Sequence, residues 1–209
     1  MKSIIQKQLF CAFVAFVLLS HSAFAQDTSF RRVQLAYGIS LDVPSHWMVL
    51  SQDDRRNIGA AGQADNAAIE RPSGRESLLA VNAAPNPTGA MIRVSITSPP
   101  DYTQGDLAAA TPADLKEVGT EMQGMFRKLE ASGGPRIIEM QPVRIEIQQL
   151  SSVGYTVRSC RRKWTSPWQV TQYKIPIFNR LIEITLSHRQ SDAIVWQPIL
   201  ERVKRSVQF

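Results

Sequence analysis

The chain has 209 residues and a formal net charge of +6 at pH 7, carried unevenly along its length. Residues 26–134 hold 10 Lys/Arg against 13 Asp/Glu, whereas residues 135–209 hold 12 against 5. Beyond residue 25 no stretch approaches the roughly 18 uninterrupted apolar residues that a spanning helix needs, which excludes a membrane helix there and predicts a soluble mature protein.

The first residues read as a secretory leader. Lys2 and Lys7 give a positive start, Leu9 to Leu19 form an uncharged run, and Ala23-Phe24-Ala25 supplies the small-x-small cleavage site. Polar Ser20-His21-Ser22 cuts the apolar run short of a membrane anchor. Cleavage after Ala25 leaves 184 residues, 26–209, expected as one domain of a periplasmic or secreted protein. Cys11 leaves with the leader, so Cys160 is the remaining thiol and no internal disulfide is expected. A domain of that size can bury a sizeable core without crosslinks.

Asp27 to Phe30 reads as a short polar leader-in. Val33–Tyr37 and Ile39–Val43 alternate in polarity around Gly38, which is a hairpin signal. Pro44 closes the second strand and Trp47 follows it. Residues 51–70 are polar and Ala-rich; Ser51 with Asp53 and Asp54 suits a short helix cap. Ser77–Ala83 and Met91–Thr97 predict a second strand pair, separated by the turn-forming Pro85–Gly89 and closed by Pro99-Pro100.

The spacing predicts a helix over 112–131. Thr111 is its N-cap, Pro112 fills the first position, and Asp114 puts negative charge where the dipole favours it. Leu115, Val118, Met122, Met125, Phe126 and Leu129 form one stripe, expected to be core. Gly133-Gly134-Pro135 ends the helix. Four strands follow: Val143–Ile147, Gly154–Cys160, Trp168–Ile175 and Leu181–Leu186, with a turn near Pro176–Asn179. A terminal helix opens at Ser191-Asp192, its regular part expected from Gln197 with Pro198 in the first turn. Leu200, Val203 and Val207 give that helix a buried stripe beside Trp196. The order predicts an α+β fold, an antiparallel sheet flanked by helices.

Two stretches resemble PsbP-like and DcrB-like proteins. Ile39–Trp47 (ISLDVPSHW) resembles their opening strand running into Pro and then Trp. Leu181–Val207 (LIEITLSHRQSDAIVWQPILERVKRSV) resembles their last strand, turn and terminal helix. The resemblance covers the two ends, with the middle matching only in element order. It implies an α/β/α sandwich around an antiparallel sheet, and a non-catalytic accessory, assembly or binding role in the envelope. It carries over no cofactor, metal-binding or partner-binding residue, because none of the family's can be matched here.

Signatures of catalysis are absent: there is no Gly-x-Ser-x-Gly, phosphate-binding Gly-rich loop or His-Glu-x-x-His. His46 and His188 have no second ligand at metal spacing, so no metal is expected. Cys160 sits between Arg158 and Arg162 on one strand face, and two cations would favour its thiolate. A thiol-dependent enzyme or redox protein is therefore the alternative function, against a bland reading of Cys160 as an inert thiol. Arg158, Arg161, Arg162 and Lys163 run into Trp164 and Trp168, with Lys174 and Arg180 beyond. Cations interleaved with indoles suit an anionic, partly apolar envelope component or an acidic protein; export argues against nucleic acid. The competing account has the Trp pair packing the sheet edge while the cations face water. Trp47 and Trp196 read as core anchors.

Overall fold

The computed structural model describes residues 29–54, 74–133, 136–146, 150–158 and 167–209, with backbone alone at 145, 146 and 150–158. The predicted leader, the greater part of the 51–70 segment and residues 159–166 lie outside them.

Alternation of apolar and polar residues sets the central layer. In β5 (Ala90–Thr97) Ile92, Val94 and Ile96 point one way, as do Ile182, Ile184 and Leu186 in β10 (Arg180–Arg189). β9 (Trp168–Ile177) adds Tyr173 and Ile175, and β4 (Glu76–Asn82) adds Leu79 and Val81, on the same face. With β3 (Met48–Val49), β6 (Arg136–Met140), β7 (Arg144–Glu146) and β8 (Leu150–Arg158) they make an eight-stranded sheet. Its order is β3-β4-β5-β10-β9-β8-β6, with β7 also on β8, and every pairing is antiparallel.

The predicted first hairpin is present as β1 (Phe30–Gln34) and β2 (Ser40–Pro44), a two-stranded sheet of its own. Strand pairing starts at Phe30, so this residue belongs to the sheet rather than to a polar leader-in. Gly38 takes a positive φ of 78° in the connecting turn, a conformation glycine adopts without steric cost. Ile39, Leu41 and Val43 are fully buried against the apolar sheet face, where α3 (Ala193–Arg205) joins them through Trp196, Leu200 and Val203. Each such side chain contributes roughly 1.5–3 kcal/mol by leaving water.

The opposite sheet face carries α1 (Gln104–Ala109) and α2 (Pro112–Ala131). Phe126 of α2, Met140 and Ile137 of β6, Val170 and Met91 pack around the buried Trp168 in a second cluster. Helices on both faces make the expected α+β sandwich. Helix α2 begins and ends as predicted, with Thr111 as N-cap and Pro112 first. Its stripe is only partly core: Leu129 is buried, but Val118 and Met125 are 43 % and 39 % exposed. The buried positions of the helix are Gly119, close to Val143 and Met140, and Leu129, while a cavity remains beside Leu115, Val118 and Met122.

Two more corrections concern element bounds. Helix α3 starts at Ala193, so Pro198 lies inside it rather than in its first turn. One backbone hydrogen bond is missing there, yet burial of Trp196, Leu200 and Val203 holds the helix through the proline. Strands β3 and β6 and helix α1 were not foreseen, and β8 starts at Leu150 rather than Gly154.

Helices α1 and α2 share one device. Thr103 accepts from the Asp106 N–H while the Asp106 carboxylate accepts from the Thr103 N–H and hydroxyl; Thr111 and Asp114 repeat the pattern. These bonds hold both carboxyls below their usual 3.8, the hydroxyl leading at Asp106 and the backbone N–H at Asp114. A lowered folded pKa means the stabilisation is complete above the ordinary carboxylate range and is lost as pH falls through the lowered value. Thermal melts followed by circular dichroism from pH 6 to pH 2 are expected to show a smaller acid loss in Asp106→Asn/Asp114→Asn than in the parent. An identical acid slope would refute the assignment.

Candidate binding site

Beside α2, a half-open cavity of about 220 Å³ remains. Tyr102 and Leu107 enter it from the α1 region, Leu115, Val118 and Met122 from α2, and Val143 from the connection between β6 and β7. Gln172 and Lys174 of β9 supply polar groups at the sheet side. Asp106 and Asp114 also border it, but their carboxylates are held by the capping boxes at two positive helix N-termini. Lys174 is the cation of this lining, paired in register with Glu183, whose carboxylate is 2.6 Å from Arg75. An apolar recess with a few convergent polar groups is the usual form of a small-molecule site, and about 150 Å³ of dry cavity already accepts benzene.

A second recess of about 340 Å³ lies on the other sheet face, under α3. Gln141, Gln169, Thr171, Gln190, Gln197 and Glu201 border it, with His188 at its edge. The His188 Nδ1 is 2.9 Å from the Arg189 carbonyl oxygen, which the Nδ1–H tautomer would satisfy. This lining is mostly polar and would be filled by water in preference to an apolar ligand.

Arg93 lies on the α2-side face of β5. It donates to the Val81 and Ile92 carbonyls at 2.8 and 2.9 Å, and to the Asn82 side chain at 2.8 Å. Burial lowers this guanidinium to about 10. Its acceptors are neutral, and four of its N–H groups are engaged, so it acts as a clamp between β4 and β5.

The residues singled out from the sequence are only partly described. Cys160, Arg161, Arg162, Lys163 and Trp164 lie outside the described residues, and Arg158 is described by its backbone alone, at the end of β8. Trp168 opens β9 and is 3 % exposed, so its indole packs inside the second cluster and supports a surface only from beneath. Lys174 is the member of the basic half that reaches the apolar cavity. Leu107 and Tyr102 went unnoticed in the sequence; the signal for them was the second capping box, Thr103-x-x-Asp106. Among the described residues, no three His, Cys, Asp or Glu side chains gather as a metal would require. Nor is any described helix long and apolar enough to cross a membrane.

No protein-family model and no curated protein sequence matches the chain. Solved structures do. The solution structure of cyanobacterial PsbP (CyanoP) from Synechocystis sp. PCC 6803 superposes with a TM-score of 0.52 at 14 % identity, covering 88 % of this chain and 94 % of that one. The chain has the PsbP-like fold. Two further proteins superpose on this PsbP-like chain at lower scores. One is LpqN, involved in cell envelope biogenesis of Mycobacterium tuberculosis, with TM-score 0.42, 12 % identity and coverages of 86 % and 90 %. The other is the Ran-binding protein Mog1p of Saccharomyces cerevisiae, with TM-score 0.43, 13 % identity and coverages of 87 % and 95 %. At such identities a PsbP-like fold says nothing of shared chemistry.

Proposed function

We propose that this chain is an exported, non-catalytic accessory or binding protein of the cell envelope, and that its ligand is an anionic amphiphile. The observation that carries the reading is the recess under α2, apolar on most of its wall and bordered by Lys174. An acyl chain would replace water against Leu107, Leu115, Val118 and Met122, while the ammonium faces the head group. The leader-like pattern of residues 1–25 supports the envelope role. The basic run Arg158–Lys163 with Trp164 adds a charge-driven route to an anionic component or an acidic protein.

Displacement of a fluorescent fatty-acid analogue by decanoate tests the site. Decanoate is expected to compete saturably, and Ala110→Phe, which fills the recess, is expected to weaken it by at least tenfold. Lys174→Met is expected to weaken decanoate severalfold while leaving decanol unchanged. The absence of saturable competition, or tighter binding of decylammonium than of decanoate, would count against the reading. Arg161→Ala/Arg162→Ala is expected to reduce salt-sensitive capture on anionic vesicles without moving the decanoate result.

A further inference from the structure

The turn between β9 and β10 breaks two rules at once. Phe178 takes a positive φ of 51°, in a two-residue hairpin turn where glycine, asparagine or aspartate is the usual occupant. The same ring is 95 % exposed. A left-handed backbone lowers stability and an unburied phenyl contributes none, and positions that violate local rules without a packing gain are where function is to be sought.

A second aromatic stands beside it. Tyr37, in the turn of the first hairpin, also has a positive φ, 64°, and is 52 % exposed. The guanidinium of Arg180, two residues after Phe178, lies 4.1 Å from the centre of the Tyr37 ring, so the two hairpin tips are neighbours. Both are braced from behind. Ser98 donates its hydroxyl to the Asn179 carbonyl at 3.2 Å, Gln104 its amide to the Pro176 carbonyl at 2.6 Å, and Tyr37 its hydroxyl to Glu76 at 3.3 Å.

We propose that the Phe178 and Tyr37 tips are a docking point on a lipid surface carrying anionic head groups. The chemistry is interfacial: an apolar ring in front, a ring with a polar end beside it, and an arginine at the level of the phosphates. The groups behind the rings, Ser98, Asn179 and Glu76, are polar, so a lone phenyl projects here rather than the broad apolar core a protein interface requires. The turn is also linked to the wall of the recess. Gln104, which grips the turn at Pro176, follows Tyr102 of the cavity wall by two residues, and Lys174 lies four residues before Phe178 on β9. A protein seated on these rings would thus hold the recess close to the bilayer from which an amphiphile comes. The inference rests on the amphiphile reading for the source of the ligand, and its test is separable from that reading.

The experiment measures binding of the protein to vesicles of phosphatidylcholine with and without phosphatidylglycerol. Phe178→Gly is expected to weaken binding to phosphatidylglycerol vesicles by at least tenfold without lowering the melting temperature, because the positive-φ strain is removed and the lost ring was unburied. Phe178→Trp is expected to keep binding, with a blue-shifted emission, relative to the parent, that brominated lipid quenches. Binding of Phe178→Gly within twofold of the parent, or an added emission in Phe178→Trp that is indifferent to brominated lipid, would overturn the proposal. Decanoate displacement measured on Phe178→Gly is expected to stay at the parent's value; loss of vesicle binding alone therefore bears on the tip, and loss of displacement alone on the recess.

Discussion

Trp47→Ala is expected to lower the unfolding free energy by about 3–5 kcal/mol, read from urea denaturation at unchanged slope. Trp47 is 2 % exposed and meets Trp196 edge-on, with ring centres 5.6 Å apart and planes at 74°. One ring sits between β2 and β3 and the other on α3, so the pair ties the start of the chain to its last helix. Such a pair contributes about 0.5–1.5 kcal/mol beyond its buried area. Neither indole N–H finds a hydrogen-bond partner among the described residues, and an unsatisfied buried donor costs about 1–3 kcal/mol. Trp47→Phe removes that cost along with part of the ring, so its penalty is expected to fall well below that of alanine. Equal penalties for Phe and Ala would show that the N–H groups are satisfied after all.

Gly89→Ala is expected to cost about 1–3 kcal/mol through overpacking against the same pair. A Cβ there would stand 2.8 Å from Cζ2 and 3.1 Å from Cε2 of Trp196, and 3.2 Å from the Asn86 carbonyl oxygen. The indole has little room to retreat, because Trp47 packs against it. In a Trp196→Leu background the clash partner is gone, so Gly89→Ala is expected to become nearly neutral. A double-mutant cycle by thermal or urea unfolding measures this, and additive penalties would rule the contact out as the cause.

The sequence was most legible where several local signals agreed. Helix α2 had a capping residue, a first-position proline, an apolar stripe and a glycine stop, and it lies where they put it. Helix α1 escaped notice because its six residues bury one side chain, Leu107, which leaves no periodicity to read. Strand β6 was hidden by a bulge between Ile137 and Glu139 that breaks its two-residue alternation. Pro198 misled because a helix boundary is its common context, whereas here the apolar stripe on both sides of it overrides the lost bond. The recess under α2 was not legible at all. Its lining is drawn from α1, α2, Val143 and β9, segments that only long-range packing brings together, so no local pattern announces it.

The charge asymmetry also gains a structural meaning. Arg180 stacks on Tyr37, Arg202 on Phe30 at 3.9 Å and Lys204 near Tyr173 at 4.8 Å, while Arg189 donates to Thr88 at 2.6 Å. Arg180, Arg202 and Arg189 thus join the second half to the first, whereas Lys204 and Tyr173 pair within it; each exposed cation–ring contact contributes about 0.5–1 kcal/mol.

Besides its packing on the sheet, the opening hairpin is fastened by hydrogen bonds to residues 206–208. Asp42 N–H donates to the Ser206 hydroxyl at 2.8 Å, Ser40 and Gln208 exchange backbone bonds at 3.0 and 2.9 Å, and Arg32 reaches the Ser206 carbonyl. For Ser206 alone these partners are 164 and 174 positions apart, so this part of the fastening can form only after residue 206 has been made. A fragment broken off before α3 would leave the greasy row Ile39, Leu41 and Val43 without the cover of Trp196, Leu200 and Val203, a flag by which quality-control proteases can tell it from the intact fold.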